Sequence, residues 1–391
     1  MNRREARIEA LARRYVERGA YASMEWLVRR DGHEWLRGAV GMADPLNNTA
    51  LPSKPIYRIY SMTKPVVSAI ALMLVEEGHL RLYDPVAGFI PSFRDLEVME
   101  RDGTRRKPAR IMTIEHLMTH RSGLSYGFLP DCHVSPLYRK TDLRETAGPL
   151  SEMIDTIASL PLAFDPGTKW QYSVATDVLG RVIEIVTGKP LNQVVSERVL
   201  APVGTADTGF CVAAESRSRV MPVFGNENID GLFVVPKGEQ KLLPADVSGF
   251  YPSDNPEFSR GGYGLFSTLD DYALIADFLA TGQDRDGEAL LSPHMMRMMW
   301  RNRIPHEQMP LMLGPVRLAG YGFSLAGRVM ADHGAAESLT GAGEYGWSGA
   351  AGTFFWIDPA EGMSGIIMTQ YLGSKHPHAD DLRAACYQAL E

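Results

Sequence analysis

Two apolar runs near the C-terminus constrain this chain more than any other feature. They are residues 353–357 (Thr-Phe-Phe-Trp-Ile) and 365–369 (Gly-Ile-Ile-Met-Thr). Both are short and rich in β-branched and aromatic residues, with Asp358-Pro359 and Gly362 between them, which predicts two strands. Two strands alone do not make a stable sheet. Partners are available at the other end of the chain, where residues 22–29 and 33–40 flank Asp31-Gly32, a hairpin signal. Strands from both ends therefore predict one antiparallel sheet. Helical periodicity at 4–18 and 379–390 supplies terminal helices to lie on it.

The middle of the chain reads as helices and loops. Residues 66–75 form a buried helix ended by Gly78, and residues 82–85 turn the chain. Helices are expected at 113–120, 151–160, 174–187 (Val178, Val182 and Ile185 inward), 268–280 and 292–301. Residues 92–110 read as a surface connection. Residues 127–149 and 205–262 read as long loops of the kind that cover or shape a site. The expectation is an α+β protein with a sheet domain, 1–91 and 316–391, and an inserted helical and loop-rich domain, 92–315. A cleft between them would hold the site.

Composition narrows the function. The formal net charge of −7 over 391 residues argues against nucleic acid or an anionic membrane as the main partner. No run approaches the ~18–20 apolar residues of a membrane span. The N-terminal residues carry no apolar leader, so a cytoplasmic protein is expected. Cys132, Cys211 and Cys386 are far apart and read as small buried hydrophobes, without a disulfide framework. The ten histidines show no metal-binding spacing, and His376-Pro377-His378 reads as a solvated loop. No phosphate-cradling glycine loop is present, so no metal or cofactor is expected.

Three short motifs carry chemistry. The first is Ser61-Met62-Thr63-Lys64, opening the helix at 66–75. A serine hydroxyl needs a base to become a nucleophile. Residues three apart share a helical face, with Cβ atoms roughly 5–6 Å apart, so Lys64 can reach Ser61. By itself the pattern is more often a helix start with Ser61 as cap and Lys64 as a surface cation. The second is Tyr172, in Trp170-Gln171-Tyr172-Ser173-Val174 before the helix at 174–187. A phenol becomes a useful base only beside a cation, and Lys64 could be that cation. A core aromatic is the plainer reading. The third is Trp347-Ser348-Gly349-Ala350, leading into the strand at 353–357. Its small residues let backbone approach another group closely, although a glycine-rich turn would look the same.

In this order, the three motifs resemble those of the serine β-lactamase and penicillin-binding-protein superfamily, and most closely its class C-like branch, the family VIII carboxylesterases. Residues 114–124, 170–173 and 261–267 resemble family stretches as well. The resemblance covers nearly the whole chain. It implies a β-lactamase-like fold with the site between sheet and helices. It also implies that Ser61 is the nucleophile, that Lys64 and Tyr172 act as a coupled base, and that the N–H groups of Ser61 and Ala350 form the oxyanion hole. Tyr126, Val174, Trp347, Ser348 and Gly349 would bind substrate.

Two departures bear on the substrate. Val174 stands where the β-lactamases of this branch carry an asparagine, and Trp347 where they carry a lysine. Both changes remove groups suited to an anionic, amide-bearing substrate. The expectation is a carboxylesterase acting on small, mostly apolar, short-chain acyl esters through an acyl-enzyme, with weak β-lactam hydrolysis as a side activity. A class C-type β-lactamase, a D-amino-acid peptidase, an acyltransferase and a non-turnover β-lactam sensor are the alternatives. Gly123-Leu124-Ser125-Tyr126-Gly127 also spells G-x-S-x-G, the nucleophile signature of a different fold. Here a helix precedes Ser125 where that fold needs a strand, so Ser125 is a decoy.

Overall fold

The computed structural model describes residues 5–141, 143, 148–226, 229–233, 240–338 and 340–390. The chain starts with helix α1 (Ala6–Glu17) and a hairpin of β1 (Ser23–Arg30) and β2 (His33–Gly41). Asp31 and Gly32 both take positive φ, the backbone that a two-residue hairpin turn requires. Helix α2 (Thr63–Glu76) follows, buried all round from Thr63 to Leu74. Helices α3 (Ala175–Thr187) and α4 (Leu269–Thr281) each stop at a left-handed glycine, Gly188 and Gly282. The chain then forms β3 (Tyr321–Phe323), β4 (Arg328–Met330), β5 (Tyr345–Ser348), β6 (Phe354–Asp358) and β7 (Met363–Met368). It ends in α5 (His378–Ala389).

These strands make one antiparallel sheet of seven, in the order β3-β4-β5-β6-β7-β1-β2. The N-terminal hairpin adds to the C-terminal strands through β1 against β7, with Trp26 opposite Ile367. Side chains alternate between two cores, as the two-residue period of a strand requires. Phe354, Trp356 and Ile367 pack under α1 and α5, with Ile8, Ala12, Leu382 and Cys386. Phe355, Ile357 and Ile366 face the other way, into the larger core with α2, α3 and α4. Both faces are covered, so β6 and β7 are buried at every position.

The sheet positions the site through a mismatch in strand length. Strand β4 pairs with β5 only as far as Gly346 and Tyr345. Beyond that point one edge of β5 has lost its β4 neighbour, and Trp347 and Ser348 run on beside the turn that opens α2.

Several sequence expectations need correction. Residues 127–149 contain a helix, Ser135–Lys140, too short for its period to show; residues 142 and 144–147 lie outside the described residues. The segment 205–262 is not all loop. Val223–Gly225 pairs with Tyr371–Leu372 and Pro244–Ala245 in a small three-stranded sheet, while 227–228 and 234–239 are not described. Ile185 is exposed, because α3 turns only its Val178, Val182 and Ile183 face to the core. Cys132 and Cys386 are buried, whereas Cys211 is half-buried; all three are free thiols. His378 is a buried core residue, not part of a solvated loop. No helix among the described residues is long and apolar enough to cross a membrane.

Candidate active site

Ser61 lies in a tight turn, Tyr60–Met62, that feeds directly into α2. Tyr60 is forced to φ +46°, so the chain enters the helix through a left-handed residue. The surroundings hold that strain. Ile59 donates its N–H to Leu265 C=O, Thr63 Oγ1 accepts from Leu265 N–H, and Tyr272 donates its hydroxyl to Met62 C=O. On the sheet side, a Cβ at Gly349 would lie 2.5 Å from Ile59 C=O and 2.2 Å from Thr353 Oγ1. Only glycine lets the residue after β5 come this close to the turn that carries Ser61.

Lys64 sits one helical turn after Ser61 and is almost fully buried. Its Nζ is 3.1 Å from Ser61 Oγ, 3.1 Å from Tyr126 OH and 2.6 Å from Gly262 C=O. An ammonium would donate all three protons here. A neutral amine would donate to Gly262 and Tyr126 and keep a lone pair for the Ser61 proton. Burial favours the neutral form and lowers the Lys64 pKa to about 7, against the opposing field of Asp177.

Tyr172 stacks obliquely on the neighbouring rings of Tyr126, Trp347 and His120. Its hydroxyl accepts a hydrogen bond from Trp347 Nε1 at 3.1 Å. Lys64 Nζ lies 4.7 Å from the centre of the Tyr172 ring, over its face. Burial pushes the phenol pKa up, and the neighbouring Ser61 and Trp347 hydrogen bonds only partly oppose it. The Lys64 pKa is pulled the other way, down to about 7.

Ser61, Tyr126, Tyr172, Val174, Trp347, Ser348, Gly349 and Ala350 all line one cavity of about 550 Å³. Its outer wall is largely apolar, with Phe128, Leu232, Phe233 and Val316 among its side chains. Ala350 is held in a turn that Gly352 N–H closes onto Gly349 C=O at 3.0 Å. Among the described residues, no three of His, Cys, Asp and Glu gather in a way that could hold a metal ion.

The Beta-lactamase family model matches residues 8–389. The chain belongs to the beta-lactamase family. Among its relatives are an uncharacterised protein of Mycobacterium tuberculosis, 35% identical over 85% of this chain and 81% of the other. Esterase EstB of Burkholderia gladioli is 31% identical over 98% of this chain and 95% of its own. Among solved structures, EstCE1, described as a hydrolase with promiscuous acyltransferase activity, superposes with a TM-score of 0.82. It is 25% identical, with 98% of each chain covered. The protein is a serine hydrolase on the beta-lactamase scaffold.

Within that family frame, the structure brings in residues that sequence reasoning did not place at the site. Asp177, in the first turn of α3, is completely buried, and its Oδ1 accepts Gly262 N–H at 2.9 Å. His120 is buried at φ +54°, with Nδ1 3.3 Å from Ser173 Oγ and its ring packed on Tyr172. Burial drives its pKa far down, so the imidazole is neutral. His378 Nε2 is 2.8 Å from Gly352 C=O, and its Nδ1 is 2.6 Å from Tyr21 OH and 3.2 Å from His376 C=O. The available signals were a lone Asp five residues after Tyr172 and a lone His in a polar stretch, neither of which has a chemical pattern. Ser125 is buried against Cys132 and Ser135 and does not line the cavity.

Proposed function

We propose that the protein is a carboxylesterase for neutral, mostly apolar esters with short acyl groups, working through an acyl-enzyme on Ser61. The observation that carries this reading is Trp347. Its indole N–H is used on Tyr172, and its ring adds apolar wall where a β-lactam-binding relative would place a cation. Val174, buried at the cavity wall, offers no amide partner either. EstB, an esterase by name, supports the same reading.

In the proposed reaction, Ser61 Oγ bonds to the acyl carbon while its proton passes to the Lys64 lone pair. The carbonyl π pair moves onto oxygen, where the N–H groups of Ser61 and Ala350 receive it. Loss of one such donor typically costs about 3–4 kcal/mol of barrier. Collapse re-forms the carbonyl and breaks the bond to the alkoxide, which takes the Tyr172 proton. The Lys64 ammonium re-protonates Tyr172. Water then repeats the sequence on the acyl-enzyme and releases the acid. An alcohol in place of water would give a new ester, and the activity described for EstCE1 favours that second outcome as a side reaction.

The test uses nitrophenyl esters from acetate upward, with a cephalosporin for comparison. Ser61→Ala is expected to abolish turnover, and Ser125→Ala to leave it within a few-fold of wild type. Short acyl chains should outpace both long chains and the cephalosporin. Activity surviving in Ser61→Ala, or a preference for the cephalosporin, overturns the reading. Added alcohol that raises ester product over acid would establish the transfer reaction.

A further inference from the structure

Asp177 is a carboxylate with no exposed surface, and among the described residues its Oδ2 has no hydrogen-bond partner. Leaving a buried carboxylate oxygen unpaired is costly, so its position calls for a cause. Oδ1 grips Gly262 N–H at 2.9 Å, and the carbonyl of the same Gly262 receives Lys64 Nζ at 2.6 Å. One residue of backbone thus separates the carboxylate from the amine. Two glycines make the arrangement fit. A Cβ at Gly261 would lie 2.4 Å from Thr176 C=O, and one at Gly262 would lie 2.6 Å from Asp177 Oδ2. The first turn of α3, where Asp177 sits, also favours negative charge.

We propose that Asp177 is a positioning residue for the proton transfer: it holds the Gly262 carbonyl on Lys64 and stabilises the ammonium that forms when Ser61 attacks. This deepens the reading of Lys64 as the base and rests on it. The proton that leaves Ser61 Oγ creates a positive charge on the buried Lys64. A fixed carboxylate already in place meets that charge without reorganisation, and so acts on the transition state more than on the resting amine.

The charged and titratable groups around the pair come from four segments. Lys64 is on α2. His120 and Tyr126 lie on the segment before Phe128. Tyr172 leads into α3. Arg260 and Tyr263 flank Gly262. His120 stays neutral, and burial keeps Tyr126 and Tyr172 protonated. Asp177 itself is pushed upward by burial and pulled back by Lys64, Gly262 N–H and Arg260, in that order. Its field raises the Lys64 pKa, so removing the charge must move the Lys64 titration to lower pH.

The experiment is the pH profile of kcat/KM and kcat for nitrophenyl acetate in wild type, Asp177→Asn and Asp177→Ser, with folding checked by circular dichroism. In both variants kcat is expected to fall on the order of tenfold or more, with KM little changed. The acid limb should move down by about one pH unit, the scale of one nearby charge. A uniform loss of activity with an unmoved limb would assign Asp177 to structure alone and overturn the proposal. So would wild-type kinetics in both variants, or failure of both to fold. Failure of the base assignment itself is seen separately: Lys64→Met would then retain turnover.

Discussion

Lys64 shows at the scale of one residue how catalysis and stability oppose each other. Its pKa of about 7 means that the neutral amine needed to accept the Ser61 proton is populated only from neutral pH upward. Ester turnover in wild type should therefore rise through pH 7 and fall roughly tenfold per pH unit on the acid side. The same burial carries a linkage. The folded pKa is depressed from 10.5, so the unfolded chain holds the extra proton between about 7 and 10.5. Below pH 7 the folded state must bury a charged ammonium, and the cost is full. It fades as pH rises and is gone above the unfolded value. Lys64→Met should then raise the melting temperature by several degrees at pH 6–7, equivalent to about 5 kcal/mol at most, while abolishing turnover. That difference should vanish near pH 11. A melting temperature lowered at pH 6 would contradict the burial argument. Ser61 and Lys64 were legible as a pair because a three-residue spacing is local, whereas Tyr172, Val174 and Trp347 entered only through motifs whose order resembles a family. That Trp347 donates to Tyr172 was not legible, because the two come from distant segments.

Among the elements, the sheet is fastened to its terminal helix by a buried ion cluster. Glu344, just before β5, is fully buried and accepts from Arg328 of β4 at 3.0 Å and from Arg383 of α5 at 3.2 Å. Tyr321 of β3 donates its hydroxyl to Glu344 at 2.9 Å, and Arg383 also reaches that hydroxyl. Four elements thus meet on one carboxylate. Removing it takes the carboxylate partner from Arg328 and leaves Arg383 with Asp380 alone, and breaking such a buried pair costs about 3–5 kcal/mol. Glu344→Gln should lower the urea midpoint accordingly with an unchanged slope, and leave the kcat of the folded protein near wild type. A loss under 1 kcal/mol would mean that the cluster is solvated in solution. None of this was visible beforehand. Strands β3 and β4 are three residues each, too short to show a period, and the cluster joins residues distant in sequence. The helices at 63–76, 175–187 and 269–281 were legible because each carries a long apolar stripe or run and ends at glycine.

Across the whole molecule, the two ends of the chain meet behind the turn at Gly349–Gly352. Tyr21 is fully buried, its hydroxyl bonds His378 Nδ1, and the other ring nitrogen of His378 meets Gly352 C=O. Tyr15 packs its ring edge-on against Tyr21, but its hydroxyl bonds Asp381 and lies outside that link. Tyr21→Phe should lower kcat for esters roughly 5-fold, the worth of about one hydrogen bond, with KM almost unchanged. Tyr15→Phe should affect stability and not kcat; equal effects of the two changes would make the link a purely structural one. Periodicity, turn chemistry and the three spaced motifs determined, from the sequence alone, that strands at both ends would enclose a helical middle and that Ser61 and Lys64 would share a helix face. Those properties are set by neighbours within a few residues. Tertiary structure decided that Lys64 titrates near neutrality, that Trp347 donates to Tyr172, and that Asp177 and His378 stand behind the site. Each of these depends on burial and on contacts between distant segments, which exist only once the chain has folded.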